Sequence, residues 1–159
     1  MSPLWQLCYN GNLEGVKAAI ANGEDVNGAC EKNITGLIYA ARRGHTSVVE
    51  VLLQQASLDI NSNDNYYGCT VIFYTCIDNN VNILKMLLGD PRLTSINTRD
   101  PKGLTPLMVA VYYNYVQCVK ELVKVKGVDL VTEDGKMSLE EVARWVMFIK
   151  IYEIVTITF

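Results

Sequence analysis

His45 is the only histidine in the chain, and with five cysteines it limits the nucleophilic and metal chemistry open to it. Nucleophilic catalysis needs a Ser or Cys beside a base that a third group orients. His45 follows Gly44 in the run AARRGH. That setting suits a turn histidine bonding nearby backbone better than a general base. The carboxylate pairs Glu24–Asp25 and Glu140–Glu141 are neighbours in sequence. Helical neighbours point to different faces, so neither pair converges on one substrate. No catalytic residue is assigned, and the chain is not expected to be an enzyme.

Metal and phosphate chemistry fare similarly. One histidine and no C-x-x-C exclude the usual zinc spacings. DINSNDN opens like a calcium loop at Asp59, Asn61 and Asn63. Asp64 then stands where the loop needs Gly, and Thr70 where it needs a bidentate Glu. No G-x-G-x-x-G or Walker-type run is present. No metal and no cofactor are expected. NIT at Asn33 is a glycosylation triplet by form only, since Thr35 has another use below.

The densest cluster of reactive types is NYYGCTVIFYTC, residues 65–76, with four aromatics and two cysteines. Such residues serve cores and sites alike, so only the surrounding elements can separate a metal, redox or stacking site from plain packing.

Half of the 159 residues are apolar and 19% are charged, the balance of a soluble globular domain. The net charge of −3 argues against nucleic acid as a partner, because phosphate binding calls for a basic surface. No basic region follows Met1, so no signal peptide is read there. The apolar tail WVMFIKIYEIVTITF carries Lys150 and Glu153 and is too short to span a membrane. An odd number of loosely spaced cysteines suits a reducing compartment, so a cytoplasmic or nuclear location is expected.

Periodicity organises the rest. Thr35, Thr70 and Thr105 recur every 35 residues, heading TGLIYAARRGHTSVVEVLL, TVIFYTCIDNNVNILKMLL and TPLMVAVYYNYVQCVKELV. An earlier copy begins at Ser2 and a weaker one near Gly135. Each copy reads as a short helix, a turn at Gly or Asn, and a second amphipathic helix. The threonines suit helix N-caps, with Pro106 at a first helical position. Asn33, Gly68 and Gly103 sit just before or near each threonine, where a tight turn needs positive φ. Polar stretches between copies close on Asp25-Val26-Asn27, Asp59-Ile60-Asn61 and Ser95-Ile96-Asn97.

DPKGLTPLMVAV and AARRGHTSVVEVLL, repeated in register, resemble the ankyrin repeat over nearly the whole chain. The resemblance implies an all-α solenoid of stacked helix-turn-helix units with short β-turn tips. It divides one domain, 1–159, into repeats near 1–29, 30–64, 65–99 and 100–132, with a degenerate copy over 133–159. The family's histidine after T-P-L is replaced by Trp5, Ile38, Phe73 and Met108, so apolar packing must stand in for its hydrogen bonds. Extra residues around QQASLDIN and LLGDPRLTSIN imply longer loops after the second helix.

Register then sorts the cysteines. Cys8, Cys76 and Cys118 are expected in the core, and Cys30 and Cys69 exposed in turns. Ile72 and Phe73 should face neighbouring repeats, while Tyr74 is left open.

The resemblance also implies a scaffold for protein–protein interaction, with partners at turn tips and at the exposed ends of the first helices. By position the tips are Glu31, Lys32 and Ile34; Tyr66, Tyr67 and Cys69; Pro101, Lys102 and Leu104; and Glu133, Asp134 and Lys136. The groove of first helices offers Tyr9, Arg42, Arg43, Ile77, Asp78, Tyr112, Tyr113, Arg144 and Trp145. Tyr, Arg and Trp are types enriched at interface hot spots. The plainer alternative is that some aromatics, Tyr112 foremost, pack against adjacent repeats. A protein partner is expected, with no nucleic acid and no membrane insertion. A second reading is a structural element that self-assembles through the apolar C-terminal repeat as a homo-oligomer.

Overall fold

Each copy becomes a pair of short helices because a polar cap and an apolar stripe recur in the same order. The structure, a computed structural model, describes residues 2–129. The first helices are α1 (Leu4–Tyr9), α3 (Gly36–Arg42), α5 (Val71–Ile77) and α7 (Pro106–Tyr112). The second helices are α2 (Leu13–Ala21), α4 (Thr46–Leu53), α6 (Val81–Leu88) and α8 (Val116–Leu122). First helices pack on first helices in chain order, and second helices likewise. Among the described residues there is no sheet, only antiparallel bridges at the tips, Ala29 with Thr35 and Asn63 with Thr70. This is the expected all-α repeat solenoid.

Helices of six to nine residues are too short to be stable alone, so caps and packing must hold them. Thr35 and Thr105 cap α3 and α7, accepting from the amides of Ile38 and Met108 at 3.3 Å each. The sulfur of Met108 accepts in return from the Thr105 amide at 3.4 Å, a weak version of the capping box. Thr70 occupies the same place before α5 but makes no side-chain cap bond, and its hydroxyl is buried without a partner. Between the helices of each pair the chain passes through left-handed φ at Gly11, Gly44, Asn79 and Asn114, from 54° to 73°. Only Gly and Asn enter that region readily, which explains the recurring Gly or Asn. Asn33, Gly68 and Gly103 also have positive φ, as expected.

Side chains from each copy complete the core of the next. Ile38, Phe73 and Met108 are buried where the family's histidine would stand, while half-buried Trp5 packs on Tyr39 with centroids 5.8 Å apart. Cys8, Cys76 and Cys118 are fully buried, as expected. Ile34 and Cys69, expected at exposed tips, are instead buried, Cys69 to 2%. Both directly precede the threonine at a helix N-cap position, and there the bridged tip turns the side chain onto the core. Leu104, in the same register, is half-buried against the core rather than a free tip residue.

Asparagines join the loops. Asn27 donates to the Ser57 carbonyl at 2.8 Å and accepts from the Asp59 amide at 2.7 Å. Asn61 repeats this with the Arg92 carbonyl and the Thr94 and Ser95 amides, and Asn97 with Gly127 and Asp129. The asparagine closing each D-V-N-like triplet therefore ties its loop to the next. The loops lengthen as expected: Asn27 follows Ala21 by six positions, Asn61 follows Leu53 by eight, and Asn97 follows Leu88 by nine.

The degenerate copy over 133–159, with Glu133, Asp134, Lys136, Arg144 and Trp145, lies outside the described residues. Among the described residues no helix is long and apolar enough to cross a membrane.

Candidate partner-binding surface

The tip between α4 and α5 is one residue longer than its neighbours. Asp64 precedes Thr70 by six positions, whereas Asp100 precedes Thr105 by five and Cys30 precedes Thr35 by five. The backbone bonds set this register: the amides of Cys30, Asp64 and Asp100 donate to the carbonyls of Ile34, Cys69 and Leu104. Asp64 is buried, and a buried carboxylate must be hydrogen-bonded. Its Oδ1 accepts from the amides of Tyr66 and Tyr67, at 2.7 and 2.6 Å. Its Oδ2 accepts from the Cys69 amide at 3.0 Å and the Tyr74 hydroxyl at 2.9 Å. The anionic side chain thus organises the whole tip and drives the phenols of Tyr66 and Tyr67 outward. Their rings meet edge to face with centroids 4.4 Å apart. Lys32, on the adjacent tip, lies 5.7 Å from the Tyr66 ring, and the two tips are joined by Asn65 N–H to the Lys32 carbonyl at 2.9 Å.

In the preceding tip Cys30 replaces the aspartate. Its sulfur lies 3.5 Å from the Tyr39 hydroxyl, in the place of the Asp64–Tyr74 pair. Burial pushes the Cys30 thiol up, but the Tyr39 hydroxyl and the backbone at Ile34, Lys32 and Cys30 itself bring it below the usual thiol range. Tyr39 is pushed up to about 12 by burial and then by Cys30. Burial raises Cys69 to about 12, with Asp64 and Asp100 adding to the effect.

At the far end of the first helices the charged residues rest on tyrosines. Arg42 lies over the Tyr74 ring at 4.6 Å, and Arg43 over the Tyr9 ring at 4.2 Å, also donating to the Tyr9 hydroxyl. Tyr9 in turn packs edge-on against Tyr39 at 5.2 Å. Asp78 approaches the Arg42 Nε at 3.8 Å. Burial raises its carboxyl, and Arg42 only partly offsets that. His45 bonds backbone as expected, but that of the preceding repeat: its Nε2 lies 3.1 Å from the Tyr9 carbonyl.

Tyr112 and Tyr113 end α7. Their rings meet edge to face at 5.0 Å, and Tyr113 stacks on Tyr115 at 5.6 Å. Tyr112, the residue the packing alternative favoured, is the most exposed at 76%; Tyr66, Tyr113 and Tyr67 follow at 66, 52 and 50%. Lys102 is exposed, and Trp145 falls outside the described residues.

Of the expected site residues, the fold brings together Lys32 with Tyr66 and Tyr67, Arg42 with Asp78, and Tyr112 with Tyr113. Sequence reasoning passed over Asp64, Tyr39, Tyr74 and Tyr115 as parts of this surface or its support. The signal for Asp64 was its register with Asp100, concealed by the inserted residue. Among the described residues no group of three His, Cys, Asp or Glu side chains converges as a metal site.

The profile of the family described as Ankyrin repeats (3 copies) matches residues 4–100 and 56–134. "Ankyrin repeat protein nuc-2" of Neurospora crassa is 28% identical over 127 residues, 78% of this chain and 11% of that protein. "Osteoclast-stimulating factor 1" of Gallus gallus is 35% identical over 60 residues, 38% of this chain and 30% of that protein. "Ankyrin repeat domain-containing protein 29" of Homo sapiens is 40% identical over 58 residues, 36% of this chain and 19% of that protein. The chain thus spans less than a third of the length of each of these relatives. With the profile covering most of the sequence and helix pairs stacking in the matching register, the chain belongs to the ankyrin-repeat family.

Proposed function

We propose that the chain is a non-enzymatic protein-binding module that holds a partner segment against its tips and the ends of its first helices. Ankyrin repeats are generally protein–protein interaction modules, and one observation carries the reading to this surface. Among the described residues the exposed large apolar side chains are Tyr9, Tyr66, Tyr67, Tyr112 and Tyr113. All five stand at a tip or at the end of a first helix, and none on a second helix. Tyrosine offers large area with few rotors, and exposed clusters of it favour a protein partner. Arg42, Arg43 and Asp78 add polar anchors beside them, and Lys102 and the rim of Leu104 extend the surface. The resemblance adds Trp145 by position. All five cysteines are free, which supports a reducing, cytoplasmic or nuclear setting.

The test is a pull-down from lysate read by mass spectrometry, comparing the natural chain with the variant Y66A/Y67A/Y113A/R43A. Helical circular dichroism should be the same for both. Proteins captured by the natural chain should be lost with the variant, and unchanged capture overturns the site.

A further inference from the structure

We infer that the segment taken by this surface is an acidic peptide, with side-chain carboxylates seated on the guanidinium groups of Arg42 and Arg43. The inference rests on the proposed binding role and adds the chemistry of the partner. It comes from how positive charge is distributed. On the second helices and their loops, Lys17 pairs with Glu14, Lys85 and Lys124 with Glu121, Arg92 with Asp90, and Arg99 with Asp129. On the tips and first helices three cations rest on phenol rings, Lys32 on Tyr66, Arg42 on Tyr74 and Arg43 on Tyr9, with Asp78 also 3.8 Å from Arg42. A tyrosine face holds a cation in place without neutralising its charge.

The hydrogen-bonding capacity is likewise unspent. A guanidinium carries five N–H donors in a fork that matches a carboxylate. Among the described residues Arg42 donates no side-chain hydrogen bond, Asp78 being 3.8 Å away, and Arg43 donates one, to Tyr9. Both side chains are exposed and adjacent at the end of α3. Among the described residues the cations of this face are Lys32, Arg42, Arg43 and Lys102; Asp64 and Asp100 spend their acceptors on backbone amides of their own tips, and Asp78 is the acid beside Arg42. At the end of α3 the two guanidinium groups outnumber the one carboxylate of Asp78, a local excess of positive charge in a chain of net charge −3. Electrostatic complementarity of this kind selects partners and speeds their association. Four separated cations are too few for the phosphate-dominated affinity that nucleic acid binding requires. Exposed tyrosines flanking them suit peptide side chains.

The test is selection of a random dodecapeptide display library against the full chain, followed by binding assays on the synthetic peptides selected. Asp and Glu should be enriched over the input library. The selected peptides should bind R42Q/R43Q about tenfold more weakly, and K17Q/K124Q, altered on α2 and just after α8, as tightly as the natural chain. Raising salt from about 50 to about 500 mM should weaken binding to the natural chain more than to R42Q/R43Q. Peptides that lose binding with Y66A/Y67A/Y113A but carry no acidic enrichment, or ignore R42Q/R43Q, overturn this inference and leave the binding role standing. Tighter binding of a labelled dT12 oligonucleotide than of any selected peptide overturns it as well. A library yielding no peptide above the uncoated control overturns both readings.

Discussion

The hydroxyl of Tyr74, on α5, donates to Oδ2 of Asp64 at 2.9 Å, so a core helix holds the loop that presents Tyr66 and Tyr67. Three backbone amides share the same carboxylate. Removing it leaves buried donors unpaired, which costs far more than the bonds are worth net. Asp64→Ala should lower stability by about 2–4 kcal/mol and Tyr74→Phe by about 1 kcal/mol. The double variant should lose less than the sum, because the two share one bond. Urea unfolding gives all three values. An Asp64→Ala loss within the range of an ordinary surface change would mean that the carboxylate does not organise the tip.

The five cysteines should react in an order set by this geometry. Burial raises Cys8 to about 12 and Cys118 to about 11, and Cys76 well above the thiol range. Cys69 is held at about 12, while Cys30 is half-exposed and lowered. The thiolate is the reactive form, so brief iodoacetamide treatment of the folded chain at pH 8 should label Cys30 first. Peptide mapping should find Cys69 unlabelled until the protein is denatured. Equal labelling of Cys30 and Cys69 would contradict the buried placement of Cys69.

What the sequence made legible was what repeats locally. Thr35, Thr70 and Thr105, the Gly and Asn turns and the apolar spacing lie within a few residues of the structure they specify. Cys69 was misread because its place beside Gly68 suggests a turn tip. Its register partners Ile34 and Leu104 are both apolar, and that similarity was the available signal for an inward side chain. The pairs on the candidate surface were not legible. Arg43 meets Tyr9 and Arg42 meets Tyr74 from more than thirty residues away, and only stacking brings them together. The asparagine ties have the same cause. Asn27, Asn61 and Asn97 were visible as a repeated letter, but their partners are backbone groups in the next loop, which no side-chain pattern encodes.

Acid should act in opposite directions on two aspartates. Hydrogen bonding to Arg92 holds the Asp90 carboxyl below its ordinary value, outweighing burial. Arg92 also donates to the Leu53 and Gln55 carbonyls, so the pair fastens the loop after α6 to the end of α4. A folded value below the unfolded one gives stability that is full above the unfolded value and lost as pH falls through the folded one. Asp90→Asn should therefore destabilise by about 1 kcal/mol near neutrality. That difference should shrink as pH drops below the ordinary carboxylate range. Asp78 is raised, chiefly by burial, so its folded form holds its proton more tightly than the unfolded chain. Its ionisation costs stability as pH rises past the ordinary value, and Asp78→Asn should relieve that cost at neutral pH but not in acid. Denaturation midpoints of the natural chain and both variants from pH 7 to pH 3 test the two signs. Parallel pH profiles for all three would contradict both.

Gly36 sits at a close approach between α1 and α3. A Cβ built there would lie 2.8 Å from the Cys8 sulfur and 3.5 Å from the Trp5 Cα. Cys8 is fully buried on α1 and cannot swing aside. Alanine is the better helix former, by up to about 1 kcal/mol in a helix interior and by less at the first position, so propensity alone predicts that Gly36→Ala stabilises. Overpacking a filled core costs about 1–3 kcal/mol, and the contact is short enough to put the cost in the upper part of that range. Gly36→Ala should therefore be net destabilising by about 1 kcal/mol or more, despite its higher propensity. Cys8→Ala removes the sulfur and costs stability on its own through the space it leaves. In the double variant the new methyl fills part of that space. Cys8→Ala/Gly36→Ala should therefore be more stable than the sum of the single changes predicts, by about 1 kcal/mol. Thermal unfolding of the four proteins closes the cycle. Strict additivity would mean that α1 and α3 do not meet at this sulfur, and that the spacing of the first helices is set elsewhere.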